Sequence, residues 1–408
     1  WHAMLRPLRS IAIVLGGLAL LATIALPASA EPLVLHVAQG GAAQADGSQA
    51  APFATLAAAR DAIRTLKQGA GLPEGGVRVL IHGGVYRLAE TVTLGPEDSG
   101  TASAPIVYAA APGEAPVISG GRVITGLKRN DDGSWSTILP EAAGHKWVFR
   151  QLFVDGKRYI PARSPNEGQY FIARGVPPEV PEGAPEGASG TSKDRFVFRR
   201  GDLQPWPNLS DVELRITFSW NSGSFPLKSV DPETCLVTLA GPAVWELPKP
   251  GMASCPYIVE NHPGACDAPG EWQLNRETGE LRIIPFADED LGSVEVIAPA
   301  FERLVLAEGD PEAGSYVEHV RFEDLSFQHA GWDLPPTGLS SPQAESTLGA
   351  ALELRATRNC AVVGCEVAHF GRYGIWFDQE SSYGLVQQNH IHDMGGGGVR
   401  IGSANRPK

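Results

Sequence analysis

The chain has 408 residues, 33 basic against 46 acidic side chains, and a net charge of −13. That length suffices for one large domain or two ordinary ones. The acidic balance argues against nucleic acid and against polyanions held by charge alone, and is neutral toward uncharged sugars. Forty-seven glycines and 33 prolines favour a turn-rich, mainly β protein over a helical one.

In chain order, Arg6 and Arg9 precede an apolar run from Ile11 to Leu26, and the small residues Ala28, Ser29 and Ala30 follow. This is the order of a secretory signal peptide, and the run is short for a membrane span. Met4 reads as the start, residues 1–30 are expected to be removed, and the mature chain begins near Glu31. Its net charge is then −15, because two arginines and no acid are lost. The expectation is a secreted or periplasmic protein with no membrane span after signal removal.

"PFATLAAARDAIRTLK" (52–67) spaces Leu56, Ala59, Ile63 and Leu66 by three, four and three, which predicts an amphipathic helix. Such a helix could cover an open sheet edge. "VRVLIHGGVY", "ETVTL" and "PIVYAAAPGEAPVISGG" read as strands and turns. From about residue 125 to 300 the regularity is lost. "VPPEVPEGAPEGASG" (176–190) reads as a flexible acidic loop, and "ELRITFSW", "CLVTLAG" and "GELRIIPF" as longer antiparallel strands. Residues 127–299 therefore read as an inserted β-rich subdomain, between a cap with first coils (31–126) and coils that resume near Phe301 (300–408). Cys255 and Cys266 share one loop and could pair in an oxidising compartment. Cys360 and Cys365 read as small core residues, and no CxxC motif supports a zinc site.

The most informative feature is a repeat. "CAVVGCEVAHFGRYGIWFD" (360–378) lies over "GLVQQNHIHDMGGGGVRIG" (384–402) at an offset of 24. Val362 falls on Val386, Val367 on Ile391, Ile375 on Val399 and Phe377 on Ile401. "VRFEDLSFQHA" fits at an offset of 40, with Phe322 on Val362, Phe327 on Val367 and His329 on His369. The extra length is a loop at "GWDLPPTGLSSPQAESTLG". Short alternating runs at this period predict a right-handed parallel β-helix carrying an inserted antiparallel subdomain. The leucine and asparagine pattern of leucine-rich repeats is missing.

"PFATLAAARDAI" resembles the opening of many right-handed β-helix carbohydrate-active proteins. "LFVDGKRYIPARSPN", "PGEWQLNRETGELRIIP", "FEDLSFQHAGWDLP" and "CEVAHFGRYGIWF", in that order, are similar to glycoside hydrolase family 141. The resemblance covers most of the mature chain. It implies secreted enzymes acting on plant cell-wall glycans, fucosidases and xylanases among them. Members of that family continue for several coils past the segment matching "GGGGVRIG", whereas this chain stops at Lys408. A C-terminally truncated chain is therefore expected, with catalytic groups possible beyond it.

Glycoside hydrolysis requires two carboxyl groups about 5 to 9.5 Å apart. Glu353 and Asp378 are expected one coil apart and two residues along, which combines about 4.8 Å and about 6.6 Å into roughly 8 Å. They are the candidate catalytic pair, although Asp378 also falls beside Arg355 and could simply pair with it. Trp332 and Trp376 offer flat apolar faces to a sugar ring, and Trp332 and Asp333 lie in the enlarged loop where binding residues collect. His390 and His392 flank inward Ile391 and should both point outward with Asp393 following; with Arg400 they are candidate substrate contacts. His-x-His on a strand can bind metal, but no third ligand beyond Asp393 is evident, so no metal is expected. His329, His369 and Asp393 occupy equivalent places in successive coils, where a ladder holding a turn is the expectation.

"GGGGVRIG" lacks the lysine and hydroxyl of a phosphate loop, and Asp131-Asp132 and Asp288-Asp290 read as solvated turns. The expected activity is glycoside hydrolysis of plant cell-wall or microbial polysaccharide by paired carboxylates, without a cofactor. A polysaccharide lyase on the same fold and a non-catalytic glycan-binding surface protein are the alternatives.

Overall fold

The computed structural model describes residues 30–42, 45–173, 192–247, 255–287 and 289–403. The expected signal segment up to Ser29, the acidic loop 176–190, Asp288 and Lys408 lie outside the described residues. The protein is mainly β, and its three five- and six-stranded sheets are parallel throughout.

The chain visits those three sheets in a fixed order. Val77–Ile81, Ile106–Ala110, Val320–Glu323, Ala361–Val363 and Leu385–Gln387 lie in the first sheet, with Leu33–Ala42 at its edge. Gly84–Arg87, Pro116–Ser119, Ser326–Ala330, Glu366–Phe370 and His390–Met394 form the second. Val92–Leu94, Val305–Glu308, Ala350–Arg355, Tyr373–Phe377 and Val399–Ile401 form the third. Each circuit thus contributes one strand to each sheet.

The repeat explains this register. Val79, Tyr108, Phe322, Val362 and Val386 are successive pairing partners in the first sheet. Ile118, Phe327, Val367 and Ile391 repeat the pattern in the second, and Val305, Leu352, Ile375 and Val399 in the third. Most of these side chains are fully buried in one continuous core. Burying an aliphatic or aromatic side chain of this size stabilises by about 1.5–3 kcal/mol, so each circuit before the last contributes about one such increment to each ladder, whereas in the last Val399 is 40% exposed.

The expected helix forms at Leu56–Gly69. Thr55 caps it by accepting from Ala58 N, and Leu56, Ala59 and Ile63 enter the same core as the parallel sheets. A bidentate Arg64–Asp98 bond (2.7 and 2.6 Å) fastens its outer face to the turn before residue 100. Among the described residues no helix is long and apolar enough to cross a membrane.

The departure from regularity starts at Gly121–Val123, six residues before the expected boundary, where the chain pairs antiparallel with Val296–Pro299. Between them lie two further sheets. Their pairings are antiparallel except where Lys157–Pro161 meets Glu271–Asn275, and each has its own core. This segment leaves the second sheet after Ser119 and re-enters the third at Val305. The enlarged loop 331–349 leaves at the equivalent corner one circuit later. Its Leu339–Ser340 pairs with Gly223 and Ser224 of the strand Ser222–Asp231, so the two excursions are joined by a sheet edge.

The possible 255–266 disulfide does not form. Cys266 keeps its thiol, which donates to Glu271 O (3.8 Å), and packs with Ala162 and Ala265, whereas Cys255 opens a strand in a different core. Burial pushes the Cys266 thiol up to about 12. Cys360 and Cys365 are core residues, as expected.

Candidate functional site

Both excursions spring from one corner, and a cleft of about 370 Å³ opens where they meet the parallel sheets. Arg150, Arg158, Arg215, Glu260, Trp332, Glu345 and Asp393 line it.

Its floor is the ladder read from the sequence. His329, His369 and Asp393 all take positive φ (63°, 63° and 53°), which His and Asp tolerate better than most residues. Each turns its strand sharply at the same height. The His329 and His369 rings stack at 5.5 Å, and His369 Nδ1 meets Asp393 Oδ2 at 2.7 Å. Phe153 from the inserted segment packs on both rings. Arg158 donates to Asp393 Oδ1 (2.6 Å), Asp393 O and Phe370 O. Burial alone would raise the Asp393 carboxyl, but the bonds from His369 and Arg158 outweigh it and hold it at about 2. Asp393 therefore anchors the inserted segment to the floor.

One wall is a buried charge network. Arg150 donates to Glu213, and Arg276 donates to the other oxygen of Glu213 at 2.9 Å. Arg215 donates to Glu260 at 3.3 Å, and Arg150 stands 4.0 Å from the same carboxylate. Removing one member of such a network strands an uncompensated charge, so these groups fix one another. The Arg150 guanidinium lies 4.7 Å over the Trp332 ring, whose backbone N–H donates to Gln151.

Glu345 enters the cleft from the enlarged loop. Burial raises its carboxyl above the ordinary range, against the pull of Arg215 and the Ser222 hydroxyl. Arg215 thus acts on two carboxyl groups, one beside it in the wall and one in the loop. Beyond Glu345 the groove continues over Tyr373, Gly396 and Gly397 to Trp220, whose indole is 53% exposed. The glycine run is dictated by packing between circuits. A Cβ on Gly395 would stand 2.4 Å from Gly371 O, and one on Gly397 would stand 2.4 Å from the Tyr373 ring.

Trp332 and Asp393 lie in the cleft, and exposed Asp333 sits beside it, its N–H donating to Glu302. The other sequence candidates fall elsewhere. Glu353 faces away from the core, as its parity requires, but is only 1% exposed. It is held by Arg355 (2.7 Å), Arg303 (3.2 Å) and Ala350 N. Asp378 lies 3.8 Å from Arg355, the pairing weighed above. Neither carboxylate reaches the cleft. Trp376 is no open platform. It is 9% exposed and lies under Arg400, whose guanidinium is 3.9 Å from its ring and whose Nη1 donates to Leu348 O. His390 and His392 are on the outward face of the second sheet, where Glu366 brings a carboxylate oxygen within 4.8 Å of both. Glu260, Glu345, Arg215 and Trp220 were missed; Glu345 lies in the enlarged loop already marked out by Trp332.

No family model and no curated protein matches the chain. Among solved structures, one described as a glycoside hydrolase is similar over 92% of this chain and 68% of its own, with a TM-score of 0.78 and 23% identity. Another, a complex of XylC with xylose, is similar over 89% of this chain and 54% of its own, but its TM-score of 0.41 and 12% identity are too low to bear on the fold. The chain thus has the mainly β fold of a solved glycoside hydrolase.

Proposed function

We propose that the protein is a glycoside hydrolase whose three parallel sheets form a right-handed parallel β-helix, exported from the cell and acting on plant cell-wall or microbial polysaccharide. The observation that carries this reading is Glu345, whose carboxyl burial raises above the ordinary range, in a cleft that also holds Glu260 with Arg215 bonded to it. Acid-assisted cleavage of a glycosidic bond requires two carboxyl groups in different surroundings, one of them with a raised pKa.

In this reading Glu345 donates its proton to the departing glycosidic oxygen. Glu260, held in place by Arg215 and Arg150, acts as the second carboxyl group. Trp332, braced by Arg150, and the exposed Trp220 offer apolar faces to sugar rings along the groove. The fold shared with a solved glycoside hydrolase supports the same class.

The test is a panel of plant and microbial polysaccharides, assayed for saturated reducing ends and for ultraviolet absorbance. Reducing ends that disappear in Glu345→Gln and Glu260→Gln, with circular dichroism unchanged, are expected; loss of a general acid lowers turnover by about 10²–10⁴. An unsaturated, absorbing product would make the protein a lyase. Binding with no product from any substrate would leave a glycan-binding protein.

A further inference from the structure

We propose that Glu366, His390 and His392 form a binding site for a divalent transition ion of the zinc class, on the outward face of the second parallel sheet. The site is separate from the cleft carboxylates, and its existence does not depend on the hydrolase reading.

The placement follows from register. His390 and His392 lie two apart on one strand and so share a face, while Ile391 between them packs against the core. Glu366 pairs directly with His390 on the neighbouring strand. The three side chains can therefore bring one ligand atom each within 4.8 Å of one another. The two imidazoles stack at 4.3 Å, and His392 Nε2 stands 3.3 Å from Glu366 Oε1. A tetrahedral ion with bonds of about 2.0–2.2 Å wants its ligand atoms about 3.3 Å apart. Small side-chain rotations on the outer surface supply that closure.

A second shell is already built. Glu366 Oε2 accepts from the Ser326 hydroxyl (2.6 Å) and the Gln328 amide (3.3 Å), both from the strand on its other side. Those bonds aim the remaining oxygen at the histidines, the role outer partners play around metal ligands. Two imidazoles and one carboxylate suit zinc, whereas calcium and magnesium require oxygen ligands throughout. Three protein ligands leave a fourth position for water or a sugar hydroxyl. The His392 ring also meets His369 edge-on at 5.8 Å, so a bound ion would brace the ladder that floors the cleft.

A second cluster offers an internal control. His82 meets His36 through Nε2 (3.0 Å) and Glu114 through Nδ1 (2.9 Å), so its two partners lie on opposite sides of its ring and do not converge on one ion.

The experiment is calorimetric titration of tag-free protein with zinc chloride, followed by thermal melts with zinc, calcium or magnesium. One zinc per chain, a midpoint raised by zinc alone, and at least tenfold weaker binding in both His392→Ala and Glu366→Gln are expected. His82→Ala should bind zinc as the unaltered protein does. Cobalt should give the intense visible bands of a tetrahedral ion, absent in His390→Ala. Folded protein that binds no zinc overturns the proposal, as does binding unchanged in His392→Ala and Glu366→Gln. Either result would leave the cleft chemistry untouched.

Discussion

His329 should make the protein acid-labile well above the range in which most carboxylates titrate. Burial, with the His369 ring and the Arg87 and Arg158 guanidiniums nearby, lowers its pKa from 6.5 to about 3. Its Nδ1 meets the Ser119 hydroxyl at 3.0 Å, and its Nε2 is buried without a partner among the described residues. A histidine whose folded pKa lies below its unfolded value contributes stability that is complete above the unfolded value. That stability is lost as pH falls, because the unfolded chain takes up the proton and the folded chain does not. The slope approaches about 1.4 kcal/mol per pH unit, and integration from pH 6.5 to 5 gives a loss of about 1.6 kcal/mol. His329→Asn is the suitable perturbation: asparagine does not titrate, tolerates the positive φ, and can present its amide to Ser119. It should be less stable at pH 7, having lost the ring contacts with Phe153 and His369, but its loss from pH 6.5 to 5 should be about 1.6 kcal/mol smaller than that of the unaltered protein, the remainder coming from groups such as His36 and His262. Urea denaturation at half-unit pH steps, followed by tryptophan fluorescence, gives both curves. Parallel curves for the two proteins over that interval would refute the assignment of a buried neutral imidazole.

Glu213→Gln should destabilise the protein by about 3–5 kcal/mol in denaturant titration, because Arg150 and Arg276 would share a buried site without their common carboxylate. Gly395→Ala should lower stability by about 1–3 kcal/mol, since its Cβ meets backbone rather than a side chain that can yield. Asp378→Asn should leave turnover normal, because that carboxylate faces Arg355 and lies outside the cleft; a large loss would restore the Glu353–Asp378 pair. Turnover should fall as pH rises through the Glu345 pKa, which burial places above the ordinary 4.5. An activity profile flat through the alkaline side would remove Glu345 as the proton donor.

The three ladders were legible because their information is local and periodic. An offset of 24 places Val367 on Ile391 and Phe377 on Ile401, and the strands pair in that register. The same offset carried more than was drawn from it. It places Trp376 beside Arg400 and Glu366 beside His390. The covered indole and the grouping of Glu366 with the two histidines were therefore both implicit in the repeat. Glu353 was misjudged for a physical reason: alternation along a strand says which face a side chain takes, not whether solvent reaches that face. Arg303, Arg355 and Arg372 converge on it from three separate segments. Glu260 was beyond the sequence for a related reason. It ends an apolar strand, and only the pairing of that strand with Glu213–Thr217 brings Arg215 to it.

The position of the cleft follows from where the repeat can be interrupted. A side chain on any of the three sheets is locked between neighbours one circuit away, so a long excursion within a strand would break two ladders. The corner after the second sheet is different. There His329, His369 and Asp393 already leave strand geometry through positive φ, and chain can be added without shifting the registers on either side. Two successive circuits use that freedom, one for the segment 121–299 and one for the loop 331–349. The next two circuits return tightly, through Gly371 and through the run Gly395 to Gly398. Two long walls beside two short turns necessarily leave a groove along the corner. Its floor is rigid because the ladder stacks, and its walls are held to that floor by Phe153 and Arg158 and to each other by Leu339–Ser340. Under the hydrolase reading proposed above, such a groove suits an extended chain of sugars: Trp332 and Trp220 lie along its length, and Glu260 and Glu345 are brought in by different excursions.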